Sequence, residues 1–247
     1  MSSQKEFAES LYGRLYQAAR ERLIDPNTMT ALGNCQTSQA MAIAWDLFTP
    51  MEKPEAFRRL LEMIDDADQH FDVGVLGARV LFHVLSDFGY TDLALKLITQ
   101  DSFPSYGNWL ARGATTLWED FQTSDRKVAS QNHHFWGDIS HWFIRHLAGI
   151  HYNPRQKGGE LDIRPCFAEA LAFAEGYHVA PEGRIRVRWE RDGERIRLTV
   201  EVPEKLAGRI QLEDGYVFAD GVSVKPLASG TYEVFPYRWT IGETSTY

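Results

Sequence analysis

Cysteine is scarce: Cys35 and Cys166 are the only two in 247 residues. They are too far apart for a CxxC-type metal or redox motif and too few for a disulfide framework. Two buried thiols in a reducing compartment, and no disulfide, are expected. Long apolar runs are also missing. The stretch from Val75 to Leu85 is broken by Arg79 and His83 and falls short of the roughly 18 to 20 residues that cross a bilayer. Positive charge is not in excess, since the formal net charge is -8, and nucleic-acid binders carry a basic patch or stripe. Met1 to Ser10 holds Lys5, Glu6 and Glu9 where a secretory signal needs an apolar core. These absences lead to the expectation of a cytoplasmic protein without a nucleic-acid partner, a membrane span, a cofactor or a recognisable zinc pattern.

What is present is an ordinary globular composition, 44% hydrophobic and 24% charged, enough for one large core or two modest ones. From Phe7 to about Phe173 the apolar residues follow a helical period. Phe7, Leu11, Leu15 and Ala19 fall four apart on one face, and a second helix is expected over 36–48. Pro54 suits a first helical turn, with Phe57, Leu60, Leu61 and Ile64 as the next stripe. Leu76 to Phe88 form a broad apolar face closed by Gly89, and Leu93, Leu97 and Ile98 follow as the return helix of a hairpin. Ile139, Trp142, Phe143, His146, Leu147 and Ile150 predict a further helix ending near Gly149, with Trp142 and Phe143 in the core.

After Val179 the period becomes two. Ile185 to Trp189 and Ile196 to Val200 alternate apolar and polar residues around a turn at Asp192-Gly193, and short strands are expected near 209–212, 216–218, 222–224 and 231–235. The boundary falls in 154–181, which holds Gly158-Gly159 and a possible helix from Phe167 to Ala174. The expected organisation is a helical domain, 1–178, and a small antiparallel β-sandwich, 179–247.

Aromatic residues crowd between Phe103 and Phe143, where Trp109, Trp118, Phe121, Phe135 and Trp136 neighbour Glu119, Asp120, Asn132, His133 and His134. Sugars offer C–H faces to rings and hydroxyls to polar groups, so the mixture suits a carbohydrate cleft; it equally suits an aromatic core between helices. Glu119 follows the small-residue turn Gly113-Ala114-Thr115-Thr116, which lets backbone approach a ligand and aims a carboxylate. His133 and His134 read as a ligand pair or as hydrogen-bonding groups in a polar pocket. His134, Asp138 and His141 have only a loosely metal-like spacing.

Read in order, the segments 104–107 (Pro-Ser-Tyr-Gly), 113–119 (Gly-Ala-Thr-Thr-Leu-Trp-Glu) and 132–137 (Asn-His-His-Phe-Trp-Gly), then Trp142 through Ile150, resemble the C-terminal part of the bacterial α-L-rhamnosidases, glycoside hydrolase family 78. Upstream, Gln36-Thr37, His70, Gly74 to Gly77, Gly89 and Leu93-Ala94 extend the likeness. Downstream, Pro165 and Gly183 to Trp189 resemble the entry into that family's C-terminal sandwich. The resemblance implies a mainly α chain with a C-terminal all-β domain, in which a partial (α/α)6 barrel-like helical domain precedes the sandwich. It further implies inverting hydrolysis of terminal α-L-rhamnosyl residues, Glu119 as general base and His133 as a substrate contact, with no metal; Asn132, Trp109, Trp118 and Trp136 of the aromatic and polar cluster are the other candidate substrate contacts.

The sequence departs from that pattern in two places. The Asp- and Arg-rich segment that supplies the family's general acid has no counterpart before Leu11, and Val73 stands where a small hydroxyl residue is expected. Inversion needs two opposed carboxyl groups, and Glu190-Arg191-Asp192, at a hairpin, is not assigned the second role. A full barrel of twelve helices needs roughly 350 residues, so half a barrel with an open inner wall is expected. Self-association or a partner chain completing the barrel would cover it. The alternative is a non-catalytic rhamnose-binding or assembly subunit.

Overall fold

The computed structural model describes residues 2–121, 130–155 and 160–237. The chain divides into two compact units, Met1–Asp138 and Ile139–Tyr247.

The first unit is helical. Helix α1 (Ser2–Leu23) leads into a hairpin of β1 (Ile24–Asp25) and β2 (Thr30–Ala31), followed by α2 (Gln36–Ala44), α3 (Lys53–Asp66), α4 (Val75–Asp87), α5 (Thr91–Thr99) and α6 (Tyr106–Ala111). Helix α7 (Asp138–Trp142) starts at the unit's last residue. Most of the expected stripes of α3 and α4 is buried, with Phe57, Leu60, Ile64, Leu81 and Leu85 inside, Leu61 and Val80 half-buried and Leu76, at the start of α4, exposed. Gly89 sits at φ 82°, and its N–H and that of Tyr90 donate to the carbonyls of Ser86 and Leu85 at 3.0 and 2.8 Å. This left-handed cap ends α4 as the sequence predicts.

Two buried glutamines organise the hairpins. Gln39 accepts from Ala31 N–H and donates to the Met29 and Ala56 carbonyls, each at 2.8 Å. Gln36 donates to the carbonyls of Met63 (3.2 Å) and His70 (3.0 Å) and accepts from Asp72 N–H at 2.9 Å. Buried amides of this kind persist only when their donors and acceptors are paired, and here they fix α2 against α3, the β1–β2 hairpin and the segment before α4.

Helix α1 differs from its neighbours. Of its four-apart stripe, Phe7 and Leu15 are exposed at 65 and 61% and Leu11 and Ala19 are half-buried, while Tyr12 beside the stripe is also exposed. Its C-terminal end is tied down by Arg20, which donates to the Leu47 carbonyl and makes two 2.9 Å bonds to the Glu52 carboxylate.

The second unit holds two sheets. One has the order β10-β8-β4-β3 and the other β5-β6-β7-β11-β9, built from β3 (Ile150–Asn153), β4 (Glu160–Ile163), β5 (Phe173–Ala180), β6 (Gly183–Asp192), β7 (Arg195–Glu201), β8 (Ala207–Gln211), β9 (Tyr216–Phe218), β10 (Val224–Pro226) and β11 (Gly230–Pro236). The hairpin at Asp192-Gly193 forms as read. Its core contains Leu161, Ile163, Ile185, Val187, Trp189, Leu198 and Val234, and Trp189 Nε1 donates to the Leu147 carbonyl at 2.7 Å.

Several local readings change. The sandwich is not wholly antiparallel, because β4 runs parallel to β8; Gly208 allows it, since a Cβ there would lie 1.9 Å from the Leu161 oxygen. The possible helix over Phe167 to Ala174 is absent. The Arg191 guanidinium takes the carbonyls of Phe167 and Ala168, and its Nε that of Leu171, which leaves them unavailable to a helical ladder. Strands β3 to β5 begin before 179, so the division lies between Asp138 and Ile139, ahead of the expected boundary. Gly158-Gly159 lies outside the described residues. The helix over 139–150 is α7 followed by a π turn, Phe143–Leu147; Trp142 is buried but Phe143 is exposed.

Candidate active site

Ser105 starts α6, its Oγ accepting from Asn108 N–H at 2.8 Å, an N-cap that satisfies one of the helix's orphan donors. Gly107 lets α6 lie against the end of α5, because a Cβ there would be 2.2 Å from the Thr99 carbonyl oxygen. Beyond α6, Gly113 at φ 83° turns the chain into the segment that carries Glu119.

That segment is held by a short ladder. Glu119 N–H donates to the Ser130 carbonyl at 2.9 Å and His133 N–H to the Leu117 carbonyl at 2.8 Å, while Thr116 Oγ1 donates to the Gln131 carbonyl. Trp136 Nε1 closes the arrangement on the Glu119 carbonyl at 2.8 Å. Glu119, Asn132 and His133, distant in sequence from one another by a dozen residues or more in the first case, are therefore brought together by backbone bonds.

The Glu119 carboxylate is half-buried and forms no hydrogen bond or ion pair with any described residue. His133 Nδ1 accepts from Phe135 N–H at 3.3 Å, so the neutral ring carries its proton on Nε2 and can donate it outward. The Asn132 amide is exposed. Asp120, which the sequence groups with Glu119 without a role, has its Oδ1 buried with no hydrogen-bond partner among the described residues.

The three tryptophans lie elsewhere than expected of sugar contacts. Trp109, Trp118 and Trp136 are 2, 6 and 6% exposed. Trp109 stacks on Phe121 at 4.1 Å, Trp136 meets Phe121 edge-on at 4.6 Å, and Tyr106 packs beside them. With Phe121 and Tyr106 they form a buried aromatic cluster, and the Arg112 guanidinium lies over the Trp118 ring at 5.3 Å. An exposed ring beside His133 is Phe135, edge-on to it at 4.0 Å. Its place beside His133 was a signal available in the sequence.

Of the loosely metal-spaced residues, Asp138 is engaged by His83, Nε2 to Oδ2 3.1 Å, whereas His134 stacks on His133 at 5.3 Å. His83 is the participant that spacing within one helix does not reveal. Burial, with the Asp138 charge added, pushes the Tyr106 phenol well above its usual range, so it stays protonated and donates to the Trp136 carbonyl at 3.1 Å.

Helical hairpins followed in the same chain by a unit of two sheets are the architecture of a six-hairpin glycosidase with a C-terminal sheet domain. Residues 2–147 match the bacterial alpha-L-rhamnosidase 6 hairpin glycosidase domain, and residues 159–217 the bacterial alpha-L-rhamnosidase C-terminal domain. The chain belongs to the bacterial α-L-rhamnosidase family. An alpha-L-rhamnosidase of Formosa agariphila is 31% identical over 212 residues, covering 83% of this chain and 23% of that protein. One from Alteromonas sp. is 31% identical over 198 residues, covering 76% and 21%. The structure of the Streptomyces avermitilis alpha-L-rhamnosidase complexed with L-rhamnose aligns with TM-score 0.78 and 26% identity over 92% of this chain and 24% of that one. The fold is shared with the Aspergillus terreus enzyme, TM-score 0.79 at 23% identity over 94% and 27% of the two chains. The chain thus spans about a quarter of the length of these relatives. No helix among the described residues is long and apolar enough to cross a membrane.

Proposed function

We propose that this chain is the base-bearing part of an inverting α-L-rhamnoside hydrolase. Glu119 takes the proton from a water that attacks the anomeric carbon, His133 Nε2 and the Asn132 amide hold sugar hydroxyls, and the Phe135 ring packs on the sugar's apolar face. The buried tryptophans, expected as contacts, act from behind by fixing the ladder. The observation that carries this reading is the half-buried Glu119 carboxylate, without a hydrogen bond or ion pair among the described residues, on a segment joined by backbone bonds to the one that carries His133.

The opposed acid, which inversion places roughly 6.5 to 9.5 Å from the base, is supplied from outside the chain's own described residues. Further residues of a longer chain, a partner chain completing the barrel, or a second copy bring it and cover the exposed Phe7 and Leu15 of α1. The two half-buried free thiols fit a cytoplasmic setting. Calorimetric titration with L-rhamnose tests the sugar contacts: binding is expected, and His133→Ala weakens it about tenfold, the loss of one good hydrogen bond to a buried partner. Equal affinity in the variant counts against the assignment.

The second reading is a non-catalytic rhamnose-binding or assembly subunit. The exposed α1 stripe favours it, because such a surface marks an interface. Rhamnose binding without turnover of any rhamnoside, in the presence of the completing partner, selects that reading.

A further inference from the structure

The sheet unit has a polar cup of its own. Leu161 and Ile163 of β4 point into the core and are fully buried, so Asp162 between them faces the opposite side of the sheet. The register sets His151 of β3 and Arg209 of β8 on either side of it. The Asp162 carboxylate is shared by two guanidiniums, Arg164 Nη2 at 2.7 Å and Arg209 Nε at 3.3 Å. A cavity of about 510 Å³ is lined by these groups together with Arg145, Tyr152, Asn153 and Glu160.

Arg145 comes from the π turn Phe143–Leu147, a local geometry that recurs at functional sites. It is half-buried and forms no hydrogen bond or ion pair with any described residue. Three guanidiniums against two carboxylates leave the cup formally cationic in a chain of net charge -8. A single carboxylate cannot saturate two guanidiniums, each with five N–H donors. The planar forks of Arg145, Arg164 and Arg209 match the geometry of a carboxylate or sulfate, and the Asn153 amide adds a neutral donor of the kind that reads a hydroxyl.

We propose that this cup binds the carboxylate or sulfate group of an acidic saccharide, as a recognition site on the sheet unit separate from Glu119. The anion half rests on the cup alone; the saccharide half rests on the proposed function above. Binding is read without turnover, so failure of hydrolysis elsewhere tells against the rhamnosidase reading and not against the cup.

The test is calorimetric titration of the whole chain with methyl glucuronate, glucose 6-sulfate, methyl glucoside and inorganic sulfate. At least one acidic sugar is expected to bind, the neutral glucoside not, and affinity should fall as salt rises from about 0.05 to 0.5 M through screening of the arginines. Which acidic sugar binds identifies the group. Arg145→Gln should weaken binding at least tenfold, and Arg145→Lys should recover only part of it because the fork is lost. Arg209→Gln, on the exposed rim, gives the same reading should the Arg145 variants not fold. Unchanged affinity in the folded variants, equal binding of the neutral glucoside, no binding of either acidic sugar, or inorganic sulfate binding as tightly as the sugars would each overturn the proposal.

Discussion

The two units solve the problem of burial differently. In the sheet unit the apolar faces are closed by Trp189 and the residues around it, while the outer face of the five-stranded sheet is laced with ion pairs. Arg186 bridges Glu175 and Glu201 at 2.8 Å each, and Arg188 reaches Glu175 and Glu190 at 3.1 and 3.0 Å. In the helical unit the core is held by buried glutamines, and one helix keeps its apolar stripe outside. The sheet unit closes its apolar core with its own residues. The helical unit, which carries Glu119, leaves Phe7 and Leu15 of α1 exposed, and the function proposed above requires an opposed acid beyond its described residues.

The contrast can be strained from both sides. Trp189→Ala should be the most damaging change, because it empties a fully buried volume and orphans the Leu147 carbonyl; a loss of about 4 kcal/mol is expected in urea denaturation. In the helical unit Gln39→Leu keeps the volume but removes three buried hydrogen bonds to backbone groups. A loss of about 3 kcal/mol should follow, read in the same way.

A smaller effect is expected at Arg20. Its guanidinium, followed by Thr49 N–H, holds the Glu52 carboxyl down at about 2, from an ordinary 4.5. A carboxyl depressed in the folded state contributes stability above its unfolded pKa and loses it as pH falls through the folded one. Arg20→Ala should therefore cost about 1 kcal/mol at neutral pH, discounted for solvent screening, and the difference from the parent should shrink between about pH 4.5 and 2. The smallest stability effect belongs to Phe7→Ser with Leu15→Ser, within about 0.5 kcal/mol in the isolated chain. If α1 is an interface, the same double change should abolish association in analytical ultracentrifugation; retained association would break the contrast.

The sequence made the helical and sheet regions legible because their periods differ, and Pro54, Gly89 and Asp192-Gly193 mark boundaries by local backbone chemistry alone. The Phe167 segment was misread because its carbonyls are captured by Arg191, twenty residues or more away in the chain. The outward turn of α1 was not legible, since a four-apart stripe names a face but not what it meets. At the candidate site, backbone bonds join the segments that carry Glu119, Asn132 and His133, and their roles are the proposal made above. The tryptophans beside them share that motif signal, yet aromatic clustering cannot tell a cleft from the core behind it, and Phe135 rather than Trp109 is left open. The His83–Asp138 bond spans two helices, so no spacing within one could reveal it.

The most direct test separates base from acid. A 2,4-dinitrophenyl α-L-rhamnoside leaves without needing a proton, so Glu119 alone should suffice, whereas an alkyl rhamnoside still requires the missing acid. The account predicts that the chain hydrolyses the activated substrate with inversion and leaves the alkyl rhamnoside untouched, and that Glu119→Gln lowers kcat on the activated substrate at least about 100-fold with KM little changed. Equal rates for Glu119→Gln and the parent chain, or no hydrolysis of the activated substrate by the parent, would contradict it.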